Sequence, residues 1–193
     1  MINDNMKEIL KDFVKHGDVS EETINKYKGV VSEEIIEFWR EYGYGSFYGG
    51  FIQSINPDDY IEVMKESIEE RHHESIPLFV TGMCDLIVLD DDYLVGNFYR
   101  YGAMGSVCKF LRILFVYLSS KEHANEKLYI EPYLEAKEKY GEPEYGYGFG
   151  YVPLLPLGGK MSVDNLEKLD IITHIRINAT LLGQIDYGLN DGI

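Results

Sequence analysis

The stretch Ile76-Pro77-Leu78-Phe79-Val80-Thr81, followed by Asp85-Leu86-Ile87-Val88-Leu89 and Tyr93-Leu94-Val95-Gly96-Asn97-Phe98-Tyr99, decides the fold. Each run is short, apolar and rich in β-branched or aromatic residues, which is strand composition. Asp90-Asp91-Asp92 stands between the last two runs and reads as a hairpin turn. Gly102 to Val107 reads as one more strand or a loop. Upstream, Ile2, Met6, Ile9, Leu10 and Phe13 recur at helical spacing until Gly17 and Asp18 break the pattern. Ser20-Glu21-Glu22 begins a second short helix. Ser32 is a good N-cap, with Glu33 and Glu34 at the positive end of the helix dipole. That helix aligns Ile35, Phe38, Trp39 and Tyr42 and ends at Gly43. Tyr44 to Gly50 reads as a glycine-aromatic loop, and Phe51 to Ile55 as a strand. Asn56-Pro57-Asp58-Asp59 is a strong helix start, with Pro suited to the first helical position. Its helix carries Tyr60, Met64 and Ile68 and closes around Arg71-His72-His73.

Downstream of the strands, Phe110, Leu111, Leu114 and Leu118 have helical, core-like spacing, and a second helix runs from Glu131 to Tyr140. A second glycine-aromatic loop covers Tyr145 to Tyr151. The last helix places Ile172, Ile175, Ala179 and Leu182 on one face and stops at Gly183; the tail after Asp186 is polar and reads as frayed. The expectation is an α+β fold: N-terminal helices, a central antiparallel β-meander, and C-terminal helices packed against the sheet. No repeat or Ser/Gly linker divides the chain. A boundary, if drawn, falls near Lys121 and gives segments 1–120 and 121–193, packed as one compact unit.

Composition narrows the function classes. The chain has 193 residues, 45% of them apolar, enough for a self-sufficient core. It carries 33 acidic against 18 basic residues, a net charge of −15. Such a surplus repels nucleic-acid phosphates and anionic lipid. Neither nucleic acid nor membrane is expected as a partner; a basic protein surface is. Cys84 and Cys108 lack metal-type spacing and read as buried free thiols. Met1 to Glu8 lacks signal-peptide character, and Phe110 to Leu118 is too short to span a bilayer and contains Arg112. A cytoplasmic location is the expectation.

No motif of known chemistry is complete in the sequence. Gly158-Gly159-Lys160 is followed by Met161, and Leu154 takes the place of a phosphate loop's first glycine. Ser46 has Tyr44 where a nucleophile elbow needs glycine. Val95 stands where a calcium loop starting in Asp90-Asp91-Asp92 needs its sharp-turn glycine. His72 and His73 are adjacent and diverge, and His174 reads as a packed or surface residue. No catalytic residue, metal or cofactor is expected. The anomaly is the 16 tyrosines, many in the two glycine-rich stretches. They either pack the sheet edge or present an adhesive surface. Combined with the acidity, the second option nominates Tyr44, Phe47, Tyr48, Asp91, Asp92, Tyr145 and Tyr147 as partner contacts.

Two stretches resemble a known family. Ile36-Glu37-Phe38-Trp39-Arg40-Glu41-Tyr42-Gly43-Tyr44-Gly45-Ser46-Phe47, running on to Asn56-Pro57-Asp58-Asp59-Tyr60, is similar to the signature of bacterial GAD-like domain proteins. Tyr147 to Gly159, with Val163-Asp164-Asn165-Leu166, resembles the domain that follows it in immunity proteins to type VI secretion DNase toxins. Gly150 is an insertion in that second motif, and Tyr145 stands where the family often has a cysteine-bearing segment. The architecture is also similar to the broader SMI1/KNR4-like immunity folds. The resemblance implies a cytoplasmic, non-catalytic immunity protein that binds and neutralises a cognate toxin. It implies structural roles for Trp39, Tyr42, Asn56, Pro57 and Gly158. Two other readings stay open from the residues themselves: a small enzyme with a cationic substrate, or a regulatory module on a host protein.

Overall fold

The computed structural model describes residues 4–188. Seven strands form one antiparallel sheet whose spatial order follows the chain: β1 (Val14–Gly17), β2 (Tyr44–Phe47), β3 (Ile52–Ser54), β4 (Ile76–Thr81), β5 (Leu86–Asp90), β6 (Tyr93–Phe98) and β7 (Ala103–Cys108). The expected meander is present. Asp90 faces Tyr93 across the hairpin, and Asp91 takes the left-handed conformation at φ 50° that Asp tolerates.

The sheet is covered on both faces. One side carries α1 (Asp4–Ile9), α2 (Glu21–Tyr27), α3 (Glu33–Glu41), α5 (Leu111–Leu118), α6 (Lys121–Leu128) and α7 (Glu131–Tyr140). Their core centres on Phe38, Trp39, Phe47, Phe79 and Phe115. The other side carries α4 (Pro57–Ser67) and α8 (Ile171–Leu182), over Val80, Leu86, Val88, Val95 and Met104. Leu86 and Val88 therefore point to one layer while Ile87 and Leu89 between them point to the other. A sheet buried on both faces needs apolar residues at every position, which is why these runs are continuous and not alternating. Local signals hold the helices in place. Ser20 accepts a hydrogen bond from Thr23 N–H, and Asn56 accepts one from Asp58 N–H ahead of Pro57. Ser32 occupies the cap of α3 in extended conformation without a side-chain bond.

Several expectations change. The first glycine-aromatic stretch is not a loop: Tyr44–Phe47 is β2, paired with β1 and β3. The second, Tyr147–Tyr151, is β8, which pairs with β9 (Leu166–Asp170) as a separate two-stranded sheet. Glycine serves backbone approach there. A Cβ on Gly45 would fall 2.4 Å from the Val14 carbonyl oxygen. The Asn56 helix stops at Ser67, and Glu70–His72 form a separate 3-10 turn. Helix α6 escaped notice because only Ala124 and Leu128 of its eight residues are buried. Helix α8 buries Ile171, His174, Ile175 and Asn178, so its inner face is rotated from the purely apolar one; Asn178 Nδ2 donates to the His174 carbonyl at 2.9 Å. The tail is held as far as Gly188, with Ile185 bridged to Ile68 and Tyr187 to Met104. Ile2 and residues 189–193 lie outside the described part.

One buried charge joins the layers. Arg100 follows β6, and its side chain is 4% exposed. Its Nη2 lies 3.1 Å from Asp85, whose side chain is fully buried, and donates to the carbonyls of Leu128 and Tyr129 at the end of α6. Burial pushes the Asp85 carboxyl up to about 6, with Arg100 pulling the other way. We expect Arg100→Met to cost about 3–5 kcal/mol in urea unfolding, because Asp85 is left as a lone buried acid. Adding Asp85→Leu should recover part of that loss.

Candidate functional site

The second glycine-aromatic stretch is tied to β3, the neighbour of the first in the sheet, by a contact that spans 94 residues. Gln53 on β3 is buried to 1% exposure. Its amide donates to the Tyr147 carbonyl at 2.9 Å, and its Oε1 accepts from Gly146 N–H at 2.8 Å. Tyr145 donates its hydroxyl to the Ser54 carbonyl at 2.8 Å, and Phe149 N–H reaches the Gly82 carbonyl at 2.7 Å. The second stretch is thereby stitched to β3 and to the end of β4. A Cβ on Gly148 would meet Cys84 Sγ at 2.9 Å and the Gly82 carbonyl at 3.0 Å, so the stitch requires glycine.

The stitch builds a face. The Tyr145 ring stacks on His16 of β1, with centroids 4.0 Å apart. Tyr44 directs its hydroxyl to Asn56 Oδ1 at 3.3 Å, at the cap of α4. Burial raises the phenols of Tyr44 and Tyr145, so both stay neutral donors. Exposed carboxylates rim these rings: Asp59 in the first turn of α4, and Asp170 at the cap of α8. Both act electrostatically on Tyr60, which also senses Tyr145. Tyr147 is 44% exposed beside them. The face offers aromatic contact area, hydroxyls and negative charge.

The nominated residues separate into different surfaces. Tyr44, Tyr145 and Tyr147 share the face just described. Phe47 does not: it is fully buried, stacked between Phe13 and Phe115, and supports β2 from inside. Its alternate position in the strand, one residue from exposed-side Ser46, dictates this. Tyr48 sits at the tip of the β2–β3 turn, where Asp12 accepts from the Tyr48 and Gly49 N–H groups. It borders a groove of about 510 Å³ floored by Ile9, Leu118, Ile130 and Leu134. Asp91 and Asp92 are exposed on the β5–β6 hairpin, in a groove with Val30, Lys109 and Phe110. Sequence reasoning missed Gln53, His16, Asp59 and Asp170. Only Gln53 carried a signal, as a lone amide within an apolar strand; the others depend on which elements meet. The motif residues hold local structure: Trp39 is buried, Asn56 caps α4, Pro57 opens it, and Gly158 adopts φ 91°.

Among the described residues no three His, Cys, Asp or Glu side chains group as metal ligands. Burial pushes the Cys84 thiol well up and the Cys108 thiol up to about 12, away from thiolate. Burial also pulls His174 down to about 4. No helix among the described residues is long and apolar enough to cross a membrane.

Two family models match separate parts of the chain. Residues 3–84 match the family model of the GAD-like domain. Residues 111–186 match the model described as T6SS immunity protein Tdi1, C-terminal. No curated protein matches the chain. Among solved structures it is similar to the crystal structure of Atu4351 from Agrobacterium tumefaciens, at 17% identity and a TM-score of 0.74, covering 92% of this chain and 88% of that one. That likeness is one of fold.

Two outcomes test the geometry. Gly150, the residue inserted in the second motif, lies against His174, and a Cβ there would sit 2.5 Å from the ring. Gly150→Ala should therefore destabilise by about 1–3 kcal/mol in denaturant unfolding. His174 falls from 6.5 in the unfolded chain to about 4 when folded. Its contribution to stability is complete above the unfolded value and is lost as pH falls toward and through the folded one. Unfolding measured across that window should show stability dropping with acid, and His174→Gln should flatten the slope.

Proposed function

We infer that this chain, which joins a GAD-like domain to a type VI secretion immunity C-terminal domain, binds a cognate DNase-class toxin and neutralises it without catalysing a reaction. The match over residues 111–186 carries this reading. The physics of the chain supports it. A nuclease grips DNA with a basic groove. A chain of net charge −15, with Asp59 and Asp170 rimming a tyrosine face, is complementary to such a groove. Electrostatic complementarity raises the encounter rate, which matters when a toxin must be caught before it cuts. Tyrosines supply rigid contact area at low entropic cost. We assign the docking face to Tyr44, Tyr145, Tyr147, Asp59 and Asp170, with Asp91, Asp92 and Tyr48 as outlying contacts. Residues 1–120 and 121–193 are taken as two segments that act as one body, because Arg100 of the first is bonded to the backbone of the second.

The decisive experiment is to look for a DNase-class toxin gene next to this one and co-express the two: cells should survive the toxin with the chain and die without it, and the absence of such a gene would count against the reading. In purified form, the association rate should fall clearly from low to high salt; a flat rate would reject steering. Tyr147→Ala should raise Kd about tenfold with unchanged unfolding behaviour. Asp59→Asn should act mainly through a slower association rate. Unchanged binding in both variants would move the docking face elsewhere.

A further inference from the structure

His72 lies in the 3-10 turn between α4 and β4 and is 9% exposed. Its Nδ1 is 3.0 Å from Asp90 Oδ2, and its Nε2 is 3.0 Å from Asp186 Oδ1. A neutral imidazole has one N–H and one bare nitrogen. It can donate to one of these carboxylates and must present a lone pair to the other. Only the imidazolium donates to both.

The two carboxylates belong to different parts of the fold. Asp90 ends β5 and also accepts from Ser75 Oγ at 2.8 Å and the Tyr187 hydroxyl at 2.9 Å. Asp186 belongs to the C-terminal strap, Ile185 to Gly188. That strap makes four backbone hydrogen bonds. Ile185 N–H donates to Ser67, and Glu69 N–H donates to Ile185. Met104 N–H donates to Asp186 at 2.8 Å, and Gly188 N–H donates to Met104 at 3.2 Å. Met104 lies on β7, the last strand of the sheet. The strap thus occupies backbone groups of an edge strand that would otherwise be open.

We propose that His72 is a proton-operated latch: as imidazolium it clamps residues 185–188 across β7, and on losing its proton it frees them and uncovers the Met104 edge. The charged and titratable groups around it come from three directions. The turn contributes Arg71, which pairs with both Asp186 and Glu69, and His73, whose Nε2 faces the Ile68 carbonyl. Strand β5 contributes Asp90, with Asp91 next to it. The strap contributes Asp186 and Tyr187, whose ring meets the imidazole edge-on at 5.1 Å. Gain or loss of the imidazole proton changes the number of N–H donors held between the two carboxylates from two to one. The latch is closed on the acid side and opens as pH rises.

The test uses the intact chain and two readouts, the ring resonances of His72 and amide exchange, from about pH 5.5 to 9. As the His72 ring loses its proton, protection factors of the Met104, Ile185 and Gly188 amides should fall about tenfold, while those within β4 and β5 hold. His72→Gln carries both its N–H donors on one nitrogen and cannot reach the two carboxylates that Nδ1 and Nε2 face on opposite sides of the ring, so its strap should be weakly protected at every pH. His73→Gln should leave the transition in place. Wild-type strap protection that stays constant while the ring titrates would overturn the proposal. So would an unchanged pH dependence in His72→Gln. The wild-type measurement stands by itself should a variant fail to fold.

Discussion

The buried guanidinium of Arg100 is the joint on which the two halves of the chain turn. It emerges from the strand-rich half, meets Asp85 inside that half, and donates to the last carbonyls of α6 in the other. Its flat group also faces the rings of Tyr101 and Tyr129 at 5.2 and 5.9 Å. A charge taken out of water demands fixed partners. The helical layer therefore has a defined seat on the sheet, where greasy contact alone would tolerate sliding. Everything built across that joint inherits the definition, including the tie between Gln53 and the Gly146–Tyr147 backbone.

The strands from Ile76 onward were legible because their composition and the Asp90-Asp91-Asp92 turn agree on one answer. The caps at Ser20 and Asn56 were legible for the same reason. Segments whose identity depends on distant contacts were not. Tyr44–Phe47 and Tyr147–Tyr151 look like loops because glycine lowers strand propensity. They become strands by pairing with β1, β3 and β9, and they need glycine where Val14, Gly82 and Cys84 lie so close that a side chain would collide. Helix α8 turned an unexpected face inward because His174 packs on Gly150, a relation no periodicity encodes. The site divides likewise. Its tyrosines stand out in composition, whereas Asp59 and Asp170 join them only after α4 and α8 are laid side by side. Phe47 shows the reverse error, an aromatic in the right stretch whose strand position turns it into the core.

The resulting face is assembled from five separate stretches: β1, β2, the start of α4, the turn into β8, and the junction of β9 with α8. Each contributes one or two groups, and three of those groups are anchored by a bond behind them. Tyr145 is held at its hydroxyl, Tyr44 at Asn56, and Asp170 by Thr173 N–H. Such anchoring limits what a partner must order on arrival, which is where much of the entropic cost of association otherwise falls.

The layer over the second face of the sheet has a consequence for synthesis. Half of that cover, α4, is made early, but α8 arrives only at residue 171. Until then a nascent chain on the ribosome carries Val80, Leu86, Val88 and Val95 beneath an incomplete roof, with Ile171 and Ile175 still missing. Chains emerge amino end first and exposed apolar sheet is sticky. Translation that halts after Cys108 but before Ile171 therefore yields a product with its seven strands in order and one side still open to wrong company.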